Sequence, residues 1–258
     1  MKYTDLFLDF DDTLYDTHGN AVIALRELYD EVRLKEYFVD EQVFYDRYWT
    51  ANVSLWSQYS KGEVERDYLI VERFRRPLVE SCSDDSPLRT MLALPLSEEG
   101  RAFCLDVSDR FLALCSVKPG VIDGAHELMD YLKQQGYRLH ICSNGFHEVQ
   151  YKKLRACGLI DYFDTIVLSE DAGANKPSRA FFDYAVRTTG AVPETTLMIG
   201  DNYNTDIVGA MGAGIDTMLF NHWDVSFEPP QKDISQFISG VKIFQKELRE
   251  QTNIDRLG

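Results

Sequence analysis

Apolar and polar positions follow two different rhythms along this chain, and the change of rhythm divides it. The chain opens with a short apolar run, Leu6-Phe7-Leu8, of the kind that a strand buried on both faces needs, and the run stops at acidic residues. From about residue 16 to 117 the spacing turns helical. Val22, Leu25, Leu28, Tyr29 and Val32 keep a helical period within Thr17–Lys35, and Asp40–Tyr59 carries Phe44, Tyr45, Tyr48, Trp49, Trp56 and Tyr59. Gly62 separates this from a third helical stretch with Tyr68, Leu69, Val71 and Phe74. Pro77 and the polar run Ser81–Pro87 then break the pattern. A fourth helix is predicted over Ser97–Cys115, with Ser97 as N-cap and Glu98-Glu99 in the first turn.

From Pro119 helices and strands alternate. Helices are predicted at Gly124–Gln135 (closed by Gly136), His147–Ala156, from Lys176-Pro177-Ser178 onward with Pro177 in the first turn, and at Thr205–Met211. Strands are predicted at Tyr137–Cys142, Thr165–Leu168, Thr196–Ile199 and Asp216–Phe220, and Ile234–Arg249 suits a terminal helix over the sheet edge. Such alternation specifies an α/β fold with a doubly wound, Rossmann-like parallel sheet, residues 1–15 and 118–258, into which an all-helical domain, 16–117, is inserted. With the first strand central, the strands ending at Ser143 and Asp201 flank it. Asp9–Thr13, Ser143-Asn144, Lys176 and Asp201–Asp206 then meet at one strand-end edge, where open α/β sheets bind ligands.

Composition narrows the partners. The net charge of −15 weighs against nucleic-acid polymers and anionic membranes, and it obliges any phosphate-bearing substrate to find local positive charge and a metal. Five scattered cysteines without a C-x-x-C pair read as free thiols. With no secretory apolar region and no segment of membrane-spanning length, the expectation is a cytoplasmic protein. Nothing in the sequence specifies an oligomeric state. The five histidines show no metal spacing. The aromatic stripe Phe44–Tyr59 reads as the core of the helical domain, and Arg73, Arg75 and Arg76 as a solvated charged face.

The candidate chemistry begins with three carboxylates within four positions, Asp9, Asp11 and Asp12, whose mutual repulsion points to a divalent metal, the alternative being an acidic turn capping the next helix through Asp12 or Thr13. Asp9-Phe10-Asp11-Asp12-Thr13-Leu14, Ser143-Asn144-Gly145, Lys176-Pro177 and Gly200-Asp201-Asn202-Tyr203-Asn204-Thr205-Asp206 together resemble the four ordered motifs of the haloacid dehalogenase superfamily. The helical insertion sits where that superfamily carries a type-1 cap. The resemblance implies a phosphatase with Asp9 as nucleophile and Asp11 as general acid and base. It also implies Mg²⁺ held by Asp9, Asp201 and the backbone carbonyl of Asp11, and phosphate contacts from Ser143, Asn144 and Lys176. Thr13, a helix cap or a flap residue, and Asp206, a helix-start charge that also orients the metal's water, are expected to support the site.

An acid at position 11 separates this pattern from dehalogenases and phosphonate-cleaving members, because an alkoxide leaving group needs a proton. The continuation Asp12-Thr13-Leu14-Tyr15 is similar to the branch of 5′-nucleotidases acting on pyrimidine and non-standard nucleoside monophosphates. The substrate expected is a small phosphorylated metabolite, a nucleoside 5′-monophosphate first, selected by the helical cap closing over the site. Phosphatases of sugar or small-acid phosphates, a sugar-phosphate mutase and a non-enzymatic binding protein are the alternatives.

Overall fold

Six short strands, β1 (Asp5–Leu8), β2 (Arg138–Ser143), β3 (Thr165–Leu168), β4 (Thr196–Gly200), β5 (Asp216–Phe220) and β6 (Phe237–Ile238), form one parallel sheet in the order β3-β2-β1-β4-β5-β6. The computed structural model describes residues 2–38, 40–221 and 237–238. As expected, β1 is flanked by β2 and β4, with Leu6 level with Leu139 and Leu197, and Phe7 level with His140 and Met198. Side chains alternate across a strand. Leu6, Leu8, Leu139, Ile141, Leu197 and Ile199 therefore enter one core, while Phe7, Cys142 and Met198 enter the other. The expected helix Ile234–Arg249 lies outside the described residues except at Phe237–Ile238, which pair with β5 as a strand.

The chain divides into two compact units, Met1–Thr17 with Pro119–Gly258, and His18–Lys118. The second is helical: α1 (Thr17–Glu31), α2 (Glu41–Ser60), α3 (Arg66–Ser81), α4 (Pro87–Met91) and α5 (Glu98–Cys115). Asp40 caps α2 and Ser97 caps α5, each side chain accepting a first-turn N–H. Phe44, Tyr45 and Tyr48 are buried, and the rings of Tyr48, Phe74 and Phe111 lie 5.3–5.4 Å apart at the centre of this unit.

Two expectations fail here. Pro77 does not end α3, which continues to Ser81. It forfeits the bond its N–H would make to the Arg73 carbonyl, and burial of Phe74, Pro77 and Leu78 keeps the helix going. Nor do the three arginines form a solvated face. Arg75 and Arg76 close on Glu72, and the buried Arg73 donates to Ser108 Oγ at 3.0 Å and lies over Phe74 and Phe111.

In the α/β unit, α6 (Ala125–Gln134) and α7 (His147–Ala156) contribute to the core holding Leu6 and Leu8. After β3 comes the short α8 (Ser169–Ala172), and then α9 (Arg179–Thr189) and α10 (Val208–Gly212) pack on the opposite core. The ends of this unit that flank the insertion lie side by side, since Tyr15 bridges Val121, Asp16 N donates to Gly120 O at 3.2 Å, and Ile122 N donates to Leu14 O at 2.9 Å. All five cysteines are buried and unbridged. Among the described residues no helix is long and apolar enough to cross a membrane.

The central strand fixes where the carboxylates fall, so its packing is the first thing to test. Leu8→Ala, which empties a fully buried position, should cost about 2–5 kcal/mol of unfolding free energy by urea denaturation. A loss under about 1 kcal/mol would contradict the packing described.

Candidate active site

Every site segment hangs from the carboxyl end of a strand. Asp9 follows β1 directly, Ser143 is the last residue of β2, and Asp201 follows β4. Lys176 comes from the turn between α8 and α9, and that turn is tied to the end of β2. The Asn144 side chain donates from Nδ2 to Lys176 O at 3.0 Å and accepts from Lys176 N at 2.8 Å. Asn144, expected to contact phosphate, thus commits its oxygen and one of its two N–H groups to holding the lysine. Pro177, expected in the first turn of a helix, instead precedes α9, which starts at Arg179 because Ser178 Oγ caps it by accepting from Ala180 N.

The Lys176 ammonium is 2% exposed and sits between two carboxylates, 2.7 Å from Asp9 Oδ1 and 2.7 Å from Asp206 Oδ1. Burial works against its charge, but Asp206 and Asp9 outweigh burial and keep it protonated well above the ordinary lysine range. Asp206 reaches this place through a wide helical turn, Tyr203–Ile207, where a short helix over Thr205–Met211 was expected. Asn202 caps that turn, and its N–H donates to Asp206 Oδ2 at 3.1 Å. A Cβ on residue 200 would overlap the Asp206 carboxyl, so only glycine fits there.

Carboxylate oxygens of Asp9, Asp201 and Asp206 lie within 4.8 Å of one another. Thr13 Oγ1 is 3.0 Å from Asp9 Oδ2 and 3.3 Å from Asp201 Oδ1, and it accepts from Asp201 N at 3.0 Å. Its single proton can serve only one of those carboxylates at a time. Burial, then Asp206 and Asp11, push the Asp9 carboxyl up to about 7 against the pull of Lys176. Burial and the neighbouring Asp9, Asp206 and Asp12 raise Asp201 well above the carboxylate range. Three acidic groups sharing one ammonium, all with oxygen donors, make a set that fits a hard divalent cation.

The Asp11 carboxylate is not in that group. It accepts from Lys153 Nζ at 2.6 Å and Thr17 Oγ1 at 2.7 Å on Oδ1, and from Gln150 Nε2 at 2.6 Å on Oδ2. Burial pushes its pKa up, but Lys153, Thr17 and Gln150 outweigh burial and hold it below the usual carboxylate range. A group with donors at both oxygens is ionised, which is the form a general base requires. Ser143 Oγ accepts from Gln150 Nε2 at 2.7 Å and Gly145 N at 3.0 Å, so its own proton is left to donate.

Thr17, Gln150 and Lys153 were missed by sequence reasoning. A signal was present, because Val149, Gln150, Lys153 and Leu154 form the buried stripe of α7, and glutamine and lysine are unexpected on such a stripe. Thr13, expected to support the site as a cap or flap residue, lies with its hydroxyl between Asp9 and Asp201.

A family model for haloacid dehalogenase-like hydrolases matches residues 6–214. The chain is 32% identical over 222 residues to the HAD-hydrolase YfnB of Bacillus subtilis, covering 85% of each chain. It is 30% identical over 224 residues to the pyrimidine 5′-nucleotidase PynA of Streptococcus pneumoniae, covering 86% of this chain and 85% of the other. A crystal structure of YfnB from Bacillus subtilis bound to magnesium superimposes with a TM-score of 0.77 at 28% identity, over 96% of this chain and 100% of the other. By its family model and these relatives, the chain belongs to the haloacid dehalogenase-like hydrolases.

Proposed function

We propose that the protein is a Mg²⁺-dependent phosphomonoester hydrolase that works through an aspartyl phosphate on Asp9, with nucleoside 5′-monophosphates as its substrates. The observation that carries the chemistry is the division of the carboxylates. Asp9 lies against Lys176 in the acidic group, whereas Asp11, two residues on, is turned out of it and held separately.

In the first step an Asp9 oxygen attacks phosphorus while the ester oxygen leaves with the proton that Asp11 takes up when the ester is bound, at the Oδ2 position that Gln150 leaves open. In the second step Asp11 takes a proton from water, the water oxygen bonds to phosphorus, and the Asp9 carboxylate leaves with inorganic phosphate released. Lys176, the Ser143 proton and the Asn144 amide supply positive charge and donors for the phosphoryl oxygens. Asp9, Asp201 and the Asp11 carbonyl would hold Mg²⁺, with Asp206 beside them, and the bound ion would screen the nucleophile from the phosphate. Substrate choice must come from groups that touch the alcohol, since these residues handle only the phosphoryl end. The nucleotide assignment is supported by the pneumococcal relative, which is a pyrimidine 5′-nucleotidase.

Three outcomes are expected. Chelation should abolish turnover and Mg²⁺ should restore it, while Asp9→Asn should lose both hydrolysis and covalent phosphorylation; full turnover in metal-free buffer would refute the reading.

The second concerns stability. Because the Asp9 and Asp201 carboxyls are raised in the folded state, their favourable contribution is present at pH below about 4 and is lost as pH rises through their raised folded values, about 7 for Asp9, at up to about 1.4 kcal/mol per pH unit for each group. Thermal unfolding at pH 8 should therefore show a gain on adding Mg²⁺. Asp201→Asn should melt higher than the parent without metal and gain less from Mg²⁺. Equal Mg²⁺ gains in parent and variant would place the ion elsewhere.

The third concerns the base. Uridine 5′-monophosphate should be hydrolysed with a higher kcat/KM than ribose 5-phosphate or a hexose phosphate at equal Mg²⁺. Equal or better hydrolysis without the base would remove the nucleotide assignment and leave phosphatase chemistry standing.

A further inference from the structure

A lysine and a glutamine lie on the buried face of α7, at 7% and 1% exposure, where the neighbouring positions are Val149 and Leu154. Burying an ammonium is unfavourable unless it is paired, and burying an amide is unfavourable unless it is hydrogen-bonded. Both obtain their partners from the site. Lys153 Nζ lies 2.6 Å from Asp11 Oδ1, and Gln150 spends both N–H groups at once, one on Asp11 Oδ2 at 2.6 Å and one on Ser143 Oγ at 2.7 Å. The Gln150 oxygen is left buried with no hydrogen-bond partner. An apolar residue would avoid that loss, so the amide is kept for what its nitrogen does. Gly145 makes room for it, because a Cβ there would overlap the Gln150 amide.

We infer that Gln150 and Lys153 are positioning residues for the proton transfer by Asp11, an inference that rests on the phosphatase reading above. Lys153 and Gln150 grip opposite oxygens of one carboxylate from successive turns of one helix, which fixes the plane in which the Asp11 carboxylate faces the leaving oxygen. Lys153 touches Asp11 and not the Ser143 hydroxyl. Gln150 joins the two, so the group that donates to the phosphoryl oxygen and the group that serves the leaving oxygen are held through one amide.

This division sets distinct signatures. Removing Lys153 should slow esters in proportion to their need for a proton. Removing Gln150 should do the same and also loosen the phosphate contact made by Ser143.

The experiment compares 4-nitrophenyl phosphate, whose leaving group departs without a proton, with two alkyl esters, uridine 5′-monophosphate and ribose 5-phosphate, at saturating Mg²⁺. Lys153→Met should lower kcat for the alkyl esters on the order of tenfold more than for the aryl ester, within the range that general acid catalysis supplies. KM and the inhibition constant for inorganic phosphate should stay within about twofold, since this variant leaves Ser143 alone. Lys153→Arg should recover most of the alkyl-ester rate. Gln150→Leu should shift the alkyl-to-aryl ratio the same way and also weaken inhibition by inorganic phosphate.

Equal loss on aryl and alkyl esters, or no change on either, overturns the inference. If Lys153→Met does not fold, Gln150→Leu carries the same ratio test. A parent protein that hydrolyses both ester types while the ratio stays fixed in the variants refutes only this inference. A parent that hydrolyses no ester with Mg²⁺ refutes the phosphatase reading and this inference with it.

Discussion

One buried ammonium, that of Lys176, touches both Asp9 and Asp206, and the arrangement at the sheet edge depends on it. Without it, three carboxylates brought together by parallel strand ends would repel one another in a setting largely shielded from water. With it, the group is still short of positive charge. The lysine is itself held by main-chain contacts to Asn144, so the acidic group on β1 and β4 is secured through the end of β2. Removing either partner of a buried pair leaves a stranded charge, which costs far more than the pair contributes. That makes the turn carrying Lys176 part of the scaffold as well as part of the site.

The protein as a whole carries a charge of −15, yet its site assembles cations. Lys176 pairs with Asp9 and Lys153 with Asp11, each within 2.7 Å. The two aspartates, with only Phe10 between them, are thereby given opposite tendencies, one raised by burial and acidic neighbours and the other lowered by its cation. Environment, more than residue type, sets these two carboxyls apart.

Much of this was legible in the chain. The strands from β1 to β5 and the residues at their ends follow from local patterns, because an apolar run that halts at Asp9, Ser143-Asn144 or Gly200-Asp201 carries its own punctuation. Contacts that depend on rotation about a helix axis were not legible. Nothing in a linear reading says which face of α7 meets Asp11, so Gln150 and Lys153 stayed hidden although they break the apolar stripe. Pro77 misled for the opposite reason, since local propensity was overridden by burial. The Asn144 amide shows a third limit. Its residue type suits both a substrate contact and a main-chain clamp, and only the distance to Lys176 distinguishes them.

The α/β unit joins its own two ends where the helical insertion leaves and returns, through Tyr15 with Val121 and Asp16 with Gly120. Loop closure is therefore already satisfied at the point of insertion, and lengthening the inserted chain raises its entropic cost only logarithmically, by about 0.6 kcal/mol per doubling. The sheet that holds the reactive groups is in this sense indifferent to what is spliced between residues 17 and 119. Variation in the insertion can then accumulate without being filtered by the stability of the catalytic framework. The inserted helices can therefore change in length and sequence at little cost to the sheet that receives them.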